Sequence, residues 1–120
     1  MDIRIIREPI TLSELEEIAE KFQRTLVKGA ADLERRVIAL GGEWHMDANN
    51  VLIENDSEQK NIWGFNLYPK ERGEKAIEYI SLINIRPSQG NTAMELADRN
   101  LRDSIRGIVE KLIPELELRK

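Results

Sequence analysis

The stretch Asn61-Ile62-Trp63-Gly64-Phe65-Asn66-Leu67-Tyr68 decides the fold, read with the connection Pro69-Lys70-Glu71-Arg72-Gly73-Glu74 and the run from Lys75 to Ile85 behind it. Both flanking runs are rich in β-branched and aromatic residues, the types that suit a pleated and half-buried surface. Pro69 and Gly73 in the connection suit a hairpin with a longer loop. With Tyr68 set opposite Ala76, alternate side chains sort onto two faces. Trp63, Phe65, Leu67, Ile77, Tyr79, Ile83 and Ile85 share one face, which is expected to lie under helices. Ile62, Gly64, Asn66, Glu78, Ile80, Leu82, Asn84 and Arg86 share the other, apolar in the middle and polar at its ends.

Upstream of this hairpin, Val51-Leu52-Ile53 reads as a brief strand between the polar turns Asn49-Asn50 and Asn55-Asp56-Ser57. Gly41-Gly42 breaks whatever precedes it. Val27–Leu33 and Val37–Leu40 read as two short strands turning at Glu34-Arg35-Arg36, with a continuing helix across 27–40 as the alternative. Ile3, Ile5 and Ile6 give a first strand, which Pro9 stops. Thr11 and Glu14 then form a capping box, flanked by a hydrophobic staple of Ile10 and Leu15. The helical spacing of Leu12, Leu15, Ile18, Ala19, Phe22 and Leu26 predicts a helix from Leu12 to Thr25.

Downstream, Asp98 is placed as the N-cap of a last helix from Arg99 to Ile113. Its apolar stripe is Leu101, Ile105, Ile108, Val109, Leu112 and Ile113, and Pro114 ends it. The tail from residue 115 is expected to fray. Clustered strands bracketed by helices predict one α+β domain over residues 1–120. Its sheet is expected to be antiparallel or mixed, of about five to six strands, with two helices packed on one face.

Composition narrows the function. Apolar residues make up 41% and charged residues 33% of the 120, with a formal net charge of -4. No block of Lys and Arg stands out, so the clustered basic face that a phosphate backbone requires is not expected. Cysteine is absent, which removes disulfides, thiolate metal sites and cysteine nucleophiles. The opening Met1-Asp2-Ile3-Arg4-Ile5-Ile6-Arg7 carries charges inside its apolar run and is not expected to act as a signal peptide. No apolar run approaches the roughly 20 residues of a membrane span, so a cytoplasmic location is the default expectation.

The loop Asn84-Ile85-Arg86-Pro87-Ser88-Gln89-Gly90-Asn91 gathers an arginine, a hydroxyl and three amides into one short segment after a strand. Arg86 can hold a carboxylate or phosphate in bidentate fashion. Ser88, Gln89 and Asn91 can orient a polar ligand, with Asn66 and Asn84 beside them on the second face. The competing reading is a loop cross-braced by its own side chains. In Glu43-Trp44-His45-Met46-Asp47, an extended backbone would point Glu43, His45 and Asp47 the same way, a weak candidate metal set. The bland alternative there is a solvated rim. A triad of Ser88, His45 and a carboxylate lacks the nucleophile-elbow pattern, and Glu54 with Asp56 is still less specific. If only two helices exist, the apolar centre Ile62, Ile80 and Leu82 stays bare, and a homodimer sharing that face would cover it.

Several of these segments together resemble a family of short uncharacterised prokaryotic proteins, a domain of unknown function. They are residues 5–12, Gly41-Gly42-Glu43 with His45, Trp63 to Pro69, and Ile83 to Asn91. The resemblance implies a compact prokaryotic protein and carries no activity, cofactor or catalytic residue. The sequence reading is therefore a small binding domain for a polar or anionic ligand at the 84–91 loop. Alternatives are a homo-oligomeric interaction protein with no small-molecule site and a metal-assisted hydrolase around Glu43, His45 and Asp47. No cofactor, nucleic-acid partner or membrane partner is expected.

Overall fold

The computed structural model describes residues 2–119. Its strands are β1 (Arg4–Ile6), β2 (Val27–Asp32), β3 (Val37–Leu40), β4 (Ile62–Leu67) and β5 (Ile77–Glu78). They form one antiparallel sheet in the order β1-β3-β2-β4-β5. β2 and β3 form a hairpin, which decides 27–40 in favour of two strands. Fully buried Asp32 holds its turn. The Oδ1 atom accepts from the N–H groups of Glu34 and Arg35 at 2.9 and 3.0 Å, and Oδ2 accepts from Ser57 Oγ at 2.6 Å.

Two helices cover one face of the sheet, as expected. α1 (Leu12–Glu20) begins with the reciprocal capping box. Thr11 Oγ1 accepts from the Glu14 N–H at 3.1 Å, and Glu14 Oε1 accepts from the Thr11 N–H at 3.3 Å. The staple residues Ile10 and Leu15 are both buried in the same core. The helix stops short of Thr25, because the chain tightens at Lys21 and Phe22 and reverses through Arg24 at φ 55°. α3 (Arg99–Leu112) is capped by Asp98, whose Oδ1 accepts from the N–H groups of Asn100 and Leu101. α1 and α3 bury Leu15, Ile18, Ile105, Ile108 and Val109 against Trp63, Phe65 and Leu67. Phe65 lies flat against β2 because residue 29 is glycine. A Cβ there would meet the Phe65 ring at 2.5 Å.

A third helix corrects the reading of residues 43–53. Val51-Leu52-Ile53 belongs to α2 (His45–Glu54), and the extended backbone of the 43–47 stretch ends at Trp44. Asn49, Asn50, Val51 and Ile53 are weak helix formers, so local propensity favours a strand. Packing overrides it. Ala48 and Leu52, one turn apart, fit onto the small residues Ala30 and Ala39 and onto Ile62. The second face is therefore covered by the chain's own helix. Ile62 is fully buried and Ile80 half-buried, and of the three residues on which a bare face rested, only Leu82 stands exposed.

Two further corrections follow from packing. The run from Lys75 to Ile85 is not one strand. The register is as expected, with Tyr68 N–H donating to the Ala76 carbonyl at 2.8 Å, but β5 ends after two residues and a 3-10 turn forms at Leu82–Asn84. That turn carries Ile83 to the α2 face and leaves Ile85 exposed. The tail does not fray over its described residues, because Leu116 and Leu118 are buried in the main core. Among the described residues no helix is long and apolar enough to cross a membrane.

Candidate functional site

The 84–91 loop closes the edge of β4 where β5 has ended. An edge strand presents unpaired N–H and C=O groups. Here side chains pair with them. The fully buried Asn84 amide accepts from the Gly64 N–H at 2.8 Å and donates to the Gly64 carbonyl at 3.0 Å. Arg86 reaches one step further along the edge. Its Nη2 donates to the Ile62 carbonyl, its Nη1 to the Gln59 carbonyl at 2.7 Å and its Nε to the Ile83 carbonyl at 3.0 Å. Its guanidinium also stacks 3.9 Å from the centre of the Trp63 ring.

The other loop residues complete this brace. Gln89 bridges Arg86 Nη1 and the Lys60 carbonyl. Buried Asn91 donates to the carbonyls of Asn84 and Ala93 at 2.8 Å and accepts from the Ala97 N–H at 3.1 Å. Ser88 is exposed beside Gly90, which adopts φ 86°. Of the six residues expected to bind ligand, Asn84, Arg86, Gln89 and Asn91 thus have their polar groups engaged by the chain itself, Gln89 at the surface.

Asn66 leads elsewhere. Its Nδ2 faces two acceptors, Glu78 Oε1 and the Ile80 carbonyl, both at 3.3 Å. The amide is thereby oriented with Oδ1 toward His45 Nε2, at 2.8 Å. The Phe65 carbonyl lies 3.1 Å from the same nitrogen. Two acceptors around Nε2 require that Nε2 carries the proton. Tyr68 completes the chain by donating to Glu78 Oε1 at 2.6 Å, a bond that raises the tyrosine pKa to about 12. Burial pushes the His45 pKa down, and nearby Lys28 acts in the same direction. In the neutral ring Nδ1 is therefore bare, and among the described residues it has no hydrogen-bond partner.

His45 lines a groove of about 470 Å³ between the start of α2 and the 81–83 turn. Trp44, Met46, Leu82 and Met94 line it too. These are four of the six large apolar side chains left exposed among the described residues. Lys28 is the groove's cation. Its Nζ donates to the Glu43 carbonyl at 2.7 Å and sits 5.2 Å from the Trp44 ring centre. Such a mixture of apolar lining and a few convergent polar groups is typical of small-molecule sites.

The candidate metal set does not assemble. Asp47 accepts from the Trp44 N–H at 3.0 Å, Glu43 is exposed, and His45 Nε2 faces Phe65 and Asn66. Among the described residues no three His, Cys, Asp or Glu side chains are grouped to hold a metal ion. A family model for proteins of unknown function, DUF5674, matches residues 4–112. The chain belongs to DUF5674. No curated protein and no solved structure matches it. In this DUF5674 protein, sequence reasoning named His45 and Asn66 but missed the groove around them. The signal was faint: Trp44 and Met46 beside one histidine, with Leu82 and Met94 far away along the chain.

Proposed function

We propose that this protein is a small-ligand binding domain whose site is the groove at His45. The ligand has a flat apolar body, an anionic end at Lys28 and a hydrogen-bond donor that meets His45 Nδ1. The observation that carries this reading is the concentration of exposed Trp44, Met46, Leu82 and Met94 around His45 and Lys28. Methionines adapt their shape to a bound surface, and Trp44 offers a stacking face. The volume is in the range of drug-sized ligand sites, which run from roughly 300 to 1,000 Å³. The 84–91 loop supports this site from behind, through the turn that carries Leu82.

A test uses the two tryptophans. Trp63 is buried and Trp44 is 64% exposed, so a ligand in the groove changes chiefly the Trp44 emission. Anilinonaphthalene sulfonate and a panel of aromatic carboxylates are titrated against the native chain and against Trp44→Ala and Lys28→Ala, with Trp44→Ala, which lacks that reporter, followed by the emission of the dye and its displacement by the carboxylates. Saturable binding that weakens in both variants supports the proposal. Binding indifferent to both variants, or none across the panel, sinks it. Leu82 at 64% exposure also favours a second reading, in which the same apolar surface pairs two copies. Sedimentation shows this as concentration-dependent dimerisation that Leu82→Lys abolishes.

A further inference from the structure

A second cavity lies on the opposite side of the sheet from the groove. It measures about 410 Å³ and is bounded by α3, by Tyr79 and by the turn carrying Glu74. Three arginines face it from one helix. Arg99, Arg102 and Arg106 are spaced three and four residues apart, so they rise along one face of α3. Arg106 is paired with Asp103 at 2.9 Å. Arg102 stacks 4.9 Å from the Tyr79 ring centre. Among the described residues, neither Arg99 nor Arg102 has a carboxylate partner.

Tyr79 supplies an independent observation. Its side chain is 9% exposed and packs in the main core, yet its hydroxyl has no hydrogen-bond partner among the described residues. A buried tyrosine hydroxyl ordinarily finds one. Tyr79 lines the cavity, and its hydroxyl lies within the influence of the charges of Arg106, Arg102, Asp103 and Glu74, which line the same cavity. Burial raises its pKa, so it remains a proton donor. The helix N-terminus contributes nothing, since Asp98 already accepts from its free amides. The wall thus holds three guanidinium groups and a free hydroxyl against the two carboxylates of Glu74 and Asp103. A solvated arginine face on a convex helix would not enclose a volume or orient an unpartnered tyrosine.

We propose that this cavity binds a tetrahedral oxyanion, a phosphate or a phosphate monoester, held by the guanidinium groups of Arg99 and Arg102 and by the Tyr79 hydroxyl. Planar arginine forks match phosphate oxygens in pairs, and charge-assisted bonds of this kind are the strong ones. Glu74 opposes the anion and limits its affinity. The site is independent of the His45 groove, so either can fail without the other.

The test is a titration of the full chain with inorganic phosphate and with glycerol phosphate, followed by amide and arginine side-chain NMR shifts at constant ionic strength. Saturable shifts confined to α3, Tyr79 and the Glu74 turn are expected. Tyr79→Phe and Arg99→Gln keep the fold, and each weakens binding ~10-fold, the factor that corresponds to about 1.4 kcal/mol for one lost bond. Glu74→Gln is expected to tighten binding, a change that a purely structural role would not produce. Tighter binding of the monoester identifies an esterified ligand, and equal binding identifies the free oxyanion. Shifts that never saturate, or affinity unchanged in both Tyr79→Phe and Arg99→Gln, overturn the proposal.

Discussion

The amide of Asn84 holds both the N–H and the carbonyl of Gly64, at 2.8 and 3.0 Å, and so stands in for the strand that β5 does not supply. The arrangement needs glycine at 64. A Cβ there would come within 2.6 Å of the Ser81 Cβ and 2.7 Å of its Oγ. Asn84→Ala removes the partner of two buried backbone groups at once. Each unsatisfied group costs about 1–3 kcal/mol, so a loss of roughly 2–4 kcal/mol is expected. Asn84→Asp keeps the acceptor but buries a carboxylate against the Gly64 carbonyl, so at neutral pH it should cost at least as much as Asn84→Ala. Urea unfolding of the three proteins gives the order directly.

Arg86 makes the same kind of contact with a charged group. Its donors reach the carbonyls of Ile62, Gln59 and Ile83, and its plane covers Trp63. Arg86→Ala is expected to destabilise the chain by roughly 2–4 kcal/mol, because hydrogen bonds to charged groups are worth about 1.5–3 kcal/mol each and are not additive. Arg86→Lys should recover little, since an ammonium neither stacks as a plane nor spans three carbonyls. The measurement separates bracing from ligand binding. Near-native stability in Arg86→Ala would contradict the role assigned to the loop.

The pairing of Tyr68 with Ala76 was legible in the sequence because alternation and turn residues act locally. So were the box at Thr11 and the cap at Asp98. What the sequence hid was non-local. α2 forms against its own propensities because Ala48 and Leu52 find Ala30 and Ala39, residues distant along the chain. The run to Ile85 has strand composition throughout, yet Asn84 and Arg86 fold back as side chains where a strand would pair as backbone. Polarity marked the 84–91 loop as unusual, but composition does not distinguish an amide that binds a ligand from one that binds the chain itself. The groove escaped notice because its lining comes from residues 28, 44–46, 81–83 and 94.

Leu118 tests the end of the chain. It is 2% exposed, and Leu116 beside it is fully buried. The Leu12 N–H also donates to Glu115 Oε1 at 2.9 Å, tying the tail to the start of α1. Leu118→Ala should cost about 2–3 kcal/mol, at the low end for a buried leucine because a site near a terminus can relax. Thermal unfolding shows it as a lowered Tm with cooperativity retained. A frayed tail would give no change.

His45 gives the chain a pH dependence with a definite sign. Burial lowers its pKa in the folded state, whereas the unfolded chain titrates near the ordinary value of about 6.5. As pH falls through that value, the unfolded state takes up the proton first. Stability therefore declines below pH about 6.5 and levels off once the folded histidine protonates as well. Glu14 has a lowered pKa too, from its bond to the Thr11 N–H, but its contribution is lost only in the carboxylate range, so the window above pH about 5 belongs to His45. Urea midpoints of the native chain should fall across that window, while those of His45→Gln, whose amide can still donate toward Phe65 and Asn66, should stay flat. Equal slopes in the two proteins would remove the assignment of Nε2 as the sole protonated nitrogen. Protonation of the folded ring, at the acid end of that window where the stability curve levels off, places a hydrogen on Nδ1, so binding of aromatic carboxylates in the groove should change there in the native chain and not in His45→Gln.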